Sequence, residues 1–279
     1  MSNASLERIL EDRFGEHFEV DPALRGLDVL TAMAARGSRR AFRNDPVDAR
    51  LIDLLCAIAF SSPTKSDLQQ RDIVLVRDPR VRRALTELLP GNKLVASAPE
   101  LLFFCGNNRR QRQIHDWRGH PFPNDHLDAF FNAAVDAGIA LSAFVIAAEA
   151  VGLGCCPIST IRDRADGVAK VLGLPRYVFP VAGMAVGWPK DDKIKVSMRL
   201  PTRTTLHVDR FDDSSVEEQV EQYDRRREAA QPYAEQRSPE LYGTSANGYG
   251  WSEDKARQYS VSQRQDFGSF VRAQGFNLE

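Results

Sequence analysis

Arg36-Gly37-Ser38-Arg39-Arg40-Ala41-Phe42-Arg43, followed directly by Asn44-Asp45-Pro46-Val47, is the stretch on which the reading of this chain turns. Four guanidiniums, a hydroxyl and a glycine fall within eight residues, between two apolar periodic stretches at Leu27 to Met33 and Leu51 to Phe60. Arginine's planar fork matches phosphate oxygens two at a time, and a neighbouring glycine lets backbone N–H groups come close. The segment therefore predicts an anion site. An isolated basic turn in water would show the same composition, so the rest of the chain has to choose between the two.

Outward from that stretch, the bulk properties are those of an ordinary globular protein. The 279 residues are 43% hydrophobic and 27% charged, enough for one large domain or two small ones with a substantial core. With 37 basic against 38 acidic residues the chain lacks the basic excess of a dedicated nucleic-acid binder, so no nucleic-acid partner is expected. Charges at Glu7, Arg8, Glu11, Asp12, Arg13 and Glu16 break up the N-terminus, which argues against a signal peptide and for a cytoplasmic location. The longest apolar stretch, Ala129 to Gly154, contains Asn132, Asp136 and Glu149 and reads as a helix buried in protein, not a membrane span.

Periodicity divides the chain into three parts: an N-terminal helical extension over 1–35, a core over 36–208 and a polar C-terminal extension over 209–279. Within the core, Leu51, Leu54, Leu55 and Ile58 predict a helix started by Pro46 and Asp48, and it breaks at the hydroxyl-rich turn Ser61-Ser62-Pro63-Thr64-Lys65-Ser66-Asp67. Ile73 to Val76 and Leu101 to Cys105 predict strands, with a short helix from Pro79 to Leu89 between them. Residues 106–125 read as a long polar loop, 125–151 as an apolar helix, 163–172 as a helix and 178–186 as a strand with tiny residues in it. In the extension, helices are predicted from Ser214 to Ala230 and over Trp251 to Phe276.

The motifs of self-sufficient catalysis are missing. Gly152-Leu153-Gly154 follows a helix rather than a strand and has no third glycine, so it is not a dinucleotide fingerprint. There is no P-loop and no nucleophile elbow. The five histidines form no tight ligand pair, and Cys56, Cys105, Cys155 and Cys156 contain no CxxC, so no metal site is expected and the thiols are expected reduced. No side chain stands out as catalytic, which points to a borrowed cofactor.

Taken in order, six features resemble the flavin-dependent nitroreductase family, and within it the oxygen-insensitive NADPH nitroreductase and flavin reductase branch. They are RGSRRAF followed by DPV, the Ser-Ser-Pro-Thr-Lys-Ser-Asp-Leu-Gln turn, Ala148 to Gly154, Leu174-Pro175, Gly187-Trp188-Pro189 and Arg199-Leu200-Pro201. The resemblance implies an α+β nitroreductase-like fold with a central, mainly antiparallel sheet flanked by helices. It also implies an intertwined homodimer with FMN at the subunit interface, NADPH or NADH as electron donor, and a small-molecule electron acceptor. The family's phosphate-binding positions fall on Arg36, Gly37, Ser38 and Arg40, with Arg199 joining from the later stretch. Ser62, Thr64 and Ser66 would serve the flavin ring and the mouth of the site, and Asn92 the ring or ribityl chain. Pro157, Ile158, Ser159 and Thr160 match the segment that packs over the flavin.

Four departures from the family pattern are visible: the family often has Arg or His where Gly37 and Arg36 stand, it commonly has Gly-Gly where Ser159-Thr160 stand, and two more lie further along. Ser197-Met198-Arg199 stands where the family has Lys-Pro-Arg, so the cation that accompanies Arg199 is either Lys195 or missing. Gly248-Tyr249 stands where the branch has paired arginines ahead of its Trp-Ser element, here Trp251-Ser252. The activity implied is two-electron reduction of nitroaromatics, quinones or flavin by a ping-pong hydride mechanism. The alternatives are a specialised FMN-dependent reductase or dehydrogenase of a catabolic or biosynthetic intermediate, and a non-enzymatic module whose arginines hold an acidic partner.

Overall fold

A computed structural model describes residues 3–191, 194–246 and 248–279. The chain packs as two compact units, one of Met1–Gly37 with Ile194–Gln263, the other of Ser38–Lys193 with Arg264–Glu279.

The second unit is built on a four-stranded antiparallel sheet in the order β1-β2-β4-β3, from β1 (Arg71–Leu75), β2 (Glu100–Asn107), β3 (Gly154–Ile158) and β4 (Val178–Gly187). Leu101-Leu102-Phe103-Phe104-Cys105 is apolar without alternation because β2 is central and covered on both faces. Its side chains still alternate. Leu102 and Phe104 join one core with Ile52, Leu55, Phe144 and Met184, while Leu101, Phe103 and Cys105 join another with Leu85, Val95, Ile161 and Val168. Gly183 in β4 answers the tiny-residue signal: a Cβ there would lie 3.2 Å from Ile161 Cγ2.

Helices α1 (Asn3–Phe14) and α2 (Leu27–Ala35) belong to the first unit. The predicted helix after Asp48 is α3 (Ala49–Phe60), with Asp48 capping the Arg50 N–H at 2.9 Å. Next come α4 (Pro79–Leu88), capped by Asp78, and α5 (Lys93–Ser97), a single turn too short for periodicity to announce. The stretch 106–125, expected as a loop, contains α6 (Arg109–Arg118). It buries none of its residues, so it carries no apolar stripe to read; polar contacts hold it, among them Gln111 donating to the Leu68 carbonyl at 2.7 Å.

The apolar helix is α7 (Leu127–Ala150), long and apolar enough to span a membrane by length and composition alone. Its Ala133, Ala137, Ala140, Phe144 and Ala148 are fully buried within the unit, so it is the unit's core helix. The opposite side is not covered: Leu127, Phe131 and Val135 are exposed. Phe144 meets Phe104 edge-on at 5.7 Å between centroids. Phe144→Ala should cost about 3–5 kcal/mol of stability; a shift in the urea midpoint equivalent to less than about 1 kcal/mol would contradict the placement of α7 in the core.

After β3, a 3-10 turn (Thr160–Arg164) leads into α8 (Ala165–Val171). The strand reading missed β3 because the double cysteine and proline of Gly154–Ile158 carry little β-propensity, and the strand forms by pairing with β4. In the first unit, α9 (Val216–Ala230) is followed by α10 (Pro239–Tyr242) and α11 (Trp251–Tyr259). The single terminal helix expected over 251–276 is two helices, because the chain breaks after Tyr259 and re-forms as α12 (Phe267–Ala273) in the other unit. There Phe270, Val271 and Phe276 pack on Phe179 and Ala133, and the Tyr177 N–H donates to Gln274 at 2.7 Å.

Polar contacts dominate the C-terminal part of the first unit, in keeping with its few large apolar residues. Arg257, 4% exposed, donates to the carbonyls of Arg237 and Gly243 and to Ser245 Oγ. Asp224 accepts the Ser252 N–H at 3.0 Å, closing the first turn of α11.

Candidate functional site

The basic stretch leaves α2 at Arg36, which is extended (φ −62°, ψ 150°), and runs beside the sheet. Arg39 donates its N–H to Cys155 O at 2.9 Å, Arg43 to Trp188 O at 2.8 Å, and Lys190 returns one to Ala41 O at 3.0 Å. Extended backbone sends alternate side chains to opposite sides. Arg39 lies against Gly154, where a Cβ would be 2.7 Å from its own Cβ, and its guanidinium donates to Asp191 O at 2.9 Å. Ser38 and Arg40 face solvent, and among the described residues Arg40 makes no ion pair. Arg39 is therefore structural, and Ser38 and Arg40 are displayed.

In the first unit, the start of the same stretch meets the chain 157 or more residues later. A Cβ on Gly37 would lie 2.7 Å from Ile194 Cγ2 and 2.8 Å from Lys195 O, so only glycine allows these two backbones to lie this close. The clamp that holds them was not read from the sequence. Arg13, at the end of α1 and 7% exposed, donates Nε to Ala34 O at 2.6 Å, Nη1 to Ser197 O at 3.1 Å, and Nη2 to Arg36 O. Its own carbonyl accepts the Arg199 N–H at 2.8 Å. One buried side chain thus ties both cation-bearing segments together. Burial first, and then the charges of Arg199 and Arg36, push the Arg13 guanidinium's pKa below its ordinary value. Three like charges collected at one place by carbonyl hydrogen bonds create a positive potential suited to an anion.

The hydroxyl-rich turn is held from beneath by Asp136 of α7. Fully buried, its two carboxylate oxygens accept the N–H groups of Lys65 and Gln70, each at 2.9 Å. That support fixes three left-handed non-glycine residues, Ser66 (φ 49°), Asp67 (φ 55°) and Gln69 (φ 54°). Ser62 Oγ donates to Ala59 O at 2.6 Å and Thr64 Oγ1 accepts the Gln69 N–H at 3.3 Å, so both hydroxyls take part in the turn, whereas Ser66 is exposed.

Asn92 and Thr160, 68 residues apart, come together: Asn92 caps α5 through Leu94 N–H at 3.1 Å and donates Nδ2 to Thr160 Oγ1 at 2.9 Å. Pro157 and Ile158 are the last residues of β3, the first exposed and the second buried, and Ser159 is exposed at the start of the 3-10 turn. The structure therefore brings together Gly37 with Lys195, Arg36 and Arg199 around Arg13, and Asn92 with Thr160.

Among the described residues no group of three or more His, Cys, Asp or Glu side chains converges. Burial pushes the Cys56 thiol up to about 11 and the Cys105 thiol to about 12, so both stay protonated and unreactive at neutral pH.

Comparison with known proteins gives two adjoining matches: the nitroreductase family over residues 33–188 and the nitroreductase family C-terminal domain over 197–279. An FMN reductase [NAD(P)H] of Bacillus subtilis is 29% identical over 257 residues, covering 90% of this chain and 99% of that protein. An FMN reductase (NADPH) of the same organism is 32% identical over 176 residues, covering 62% of this chain and 70% of its own. The structure of B. megaterium NfrA2 superposes with a TM-score of 0.80 at 28% identity, covering 90% of this chain and 99% of that one. Arg13, in α1, lies ahead of residue 33, where the family model's match begins.

Proposed function

The chain belongs to the nitroreductase family and is an FMN-dependent NAD(P)H oxidoreductase; we propose that it passes two electrons at a time to nitroaromatic, quinone or free flavin acceptors. The observation that carries the site assignment is the gathering of Arg36 and Arg199 around buried Arg13, beside a glycine whose missing Cβ leaves room for backbone approach. Such a donor set fits a phosphate dianion: guanidiniums supply paired charge-assisted hydrogen bonds, and no carboxylate of the described chain forms an ion pair with Arg40 or Arg199 to compete.

On this reading Arg36, Ser38, Arg40 and Arg199 would hold the FMN phosphate, with Gly37 giving access and Lys195 adding charge. Asn92 with Thr160, and the segment Pro157 to Ser159, would position the ring system, while the turn at Ser62, Thr64 and Ser66 would form the mouth. The chemistry supplied by bound FMN is two-electron hydride exchange, with nicotinamide donor and acceptor using one site in turn. The protein's own part is orientation: the Asp136 brace keeps the turn in a fixed conformation, and the Asn92–Thr160 bond fixes the end of β3.

The same reading makes the protein a cytoplasmic homodimer. Support comes from apolar residues left uncovered at helical spacing, Leu54 and Ile58 on α3 and Leu127, Phe131 and Val135 on α7, a pattern that a second copy of the chain would bury. Steady-state kinetics with NADPH and NADH against a nitroaromatic, a quinone and free FMN test the function directly. Parallel lines in double-reciprocal plots are expected; intersecting lines for every acceptor would rule out the ping-pong exchange.

A further inference from the structure

We propose that the unit formed by the chain's N-terminal segment and residues 194–263 contains a second ligand site, one that takes a mononucleotide-sized planar anion. The site is a cavity of about 600 Å³, with Tyr223, Tyr233 and Trp251 as aromatic walls and Arg199, Arg227 and Lys255 as its cations. A volume of this order suits a small organic ligand.

Its electrostatics are one-sided. No carboxylate lines the cavity. Lys255 is compensated by Asp254 at 2.7 Å, but among the described residues neither Arg199 nor Arg227 makes an ion pair. Arg227 is the more telling of the two. Its Nη1 reaches the Tyr223 hydroxyl at 3.4 Å, its guanidinium lies 4.8 Å from the Tyr233 ring centroid, and its Nε is buried with no hydrogen-bond partner. Apart from that long bond to Tyr223 and the contact with Tyr233, the guanidinium has no hydrogen-bond or ion-pair partner among the described residues, so the charge that Arg227 brings to the cavity wall is uncompensated and suits an anion.

The rings select the rest of the ligand. Tyr223 and Trp251 are set edge to face at 5.6 Å, and the Tyr223 hydroxyl is anchored to Met198 O at 3.2 Å, so this wall is rigid. A flat heteroaromatic ring gains by stacking there, and its anionic group gains from the guanidiniums. A cationic ligand would meet like charge, and a wholly apolar one would leave both guanidiniums unpaired. None of Arg36, Gly37, Ser38, Arg40 or Lys195 lines this cavity; only Arg199 is shared with the phosphate assignment. Where the FMN phosphate takes up Arg199, Arg227 and Lys255 remain as the cavity's cations, and these are the two residues the test replaces.

The test is calorimetric titration of the full-length, FMN-loaded protein with AMP, and with adenosine and inorganic phosphate in separate arms. AMP is expected to bind once per chain, with adenosine and phosphate each weaker by about tenfold or more, since each carries half of the recognition. Arg227→Gln and, independently, Lys255→Gln should each weaken AMP by about tenfold or more without changing FMN content, because a charge-assisted contact is lost. Having two variants guards against one that does not fold. Absence of AMP binding to the FMN-loaded protein overturns the proposal, and so does wild-type AMP affinity in the folded variants, which would assign the binding to the nicotinamide nucleotide's own site.

Discussion

Arg40→Ala combined with Arg199→Ala is expected to give a folded protein that purifies almost free of flavin. Both side chains are exposed, and neither makes an ion pair among the described residues, so their loss removes little from the folded state. What they would hold is the phosphate. Hydrogen bonds to charged groups contribute roughly 1.5–3 kcal/mol each, so losing two guanidiniums amounts to about a hundredfold to ten-thousandfold in FMN affinity. Flavin absorbance per protein, measured beside the far-UV circular dichroism of the same sample, reads both quantities. Full flavin content in the double variant would falsify the phosphate assignment, while the family membership would stand.

Arg13→Ala should act on stability and flavin affinity together. The guanidinium is buried and bonded to three backbone carbonyls from two segments, and an alanine leaves those carbonyls without donors. A cost of about 3 kcal/mol or more follows from the unmet acceptors alone. Because Arg36 and Ser197–Arg199 then lose their common tie, FMN affinity should fall roughly tenfold or more, although Arg13 itself is assigned no contact with the cofactor. Arg13→Lys separates geometry from charge: the ammonium keeps the charge but not the planar fork, so flavin binding should recover only partly. A thermal denaturation series with and without added FMN checks both effects. Unchanged flavin affinity in Arg13→Ala would show that the two segments hold their places without the clamp.

Much of the core was legible because its causes are local. Asp48 and the 3–4 spacing of Leu51, Leu55 and Ile58 are enough for α3, and the run Leu101 to Cys105, short and wholly apolar, reads as a strand covered on both faces. The helix within 106–125 is not legible in the sequence because α6 buries nothing, and β3 is not because its identity depends on β4 rather than on its own residues. Trp251 to Phe276 looked like one helix because no local signal says that α12 leaves for the other unit.

For the site the division is similar. The sequence alone predicts an anion site at Arg36 to Arg43, because arginine, serine and glycine at that density, read together with the later motifs, favour it over a solvated basic turn. It also sufficed to identify the family and its cofactor, through short motifs in a fixed order. Only the tertiary structure decided which arginine is structural and which are displayed: Arg39 is committed to Asp191, while Arg40 is left facing solvent. Only the structure, too, found Arg13 holding Ser197 across 184 residues and Asp136 holding Lys65 across 71. The physical reason is range. Helix periods, caps and turn chemistry act within a few residues, whereas a buried polar side chain takes its partners from whatever backbone the folded chain brings against it.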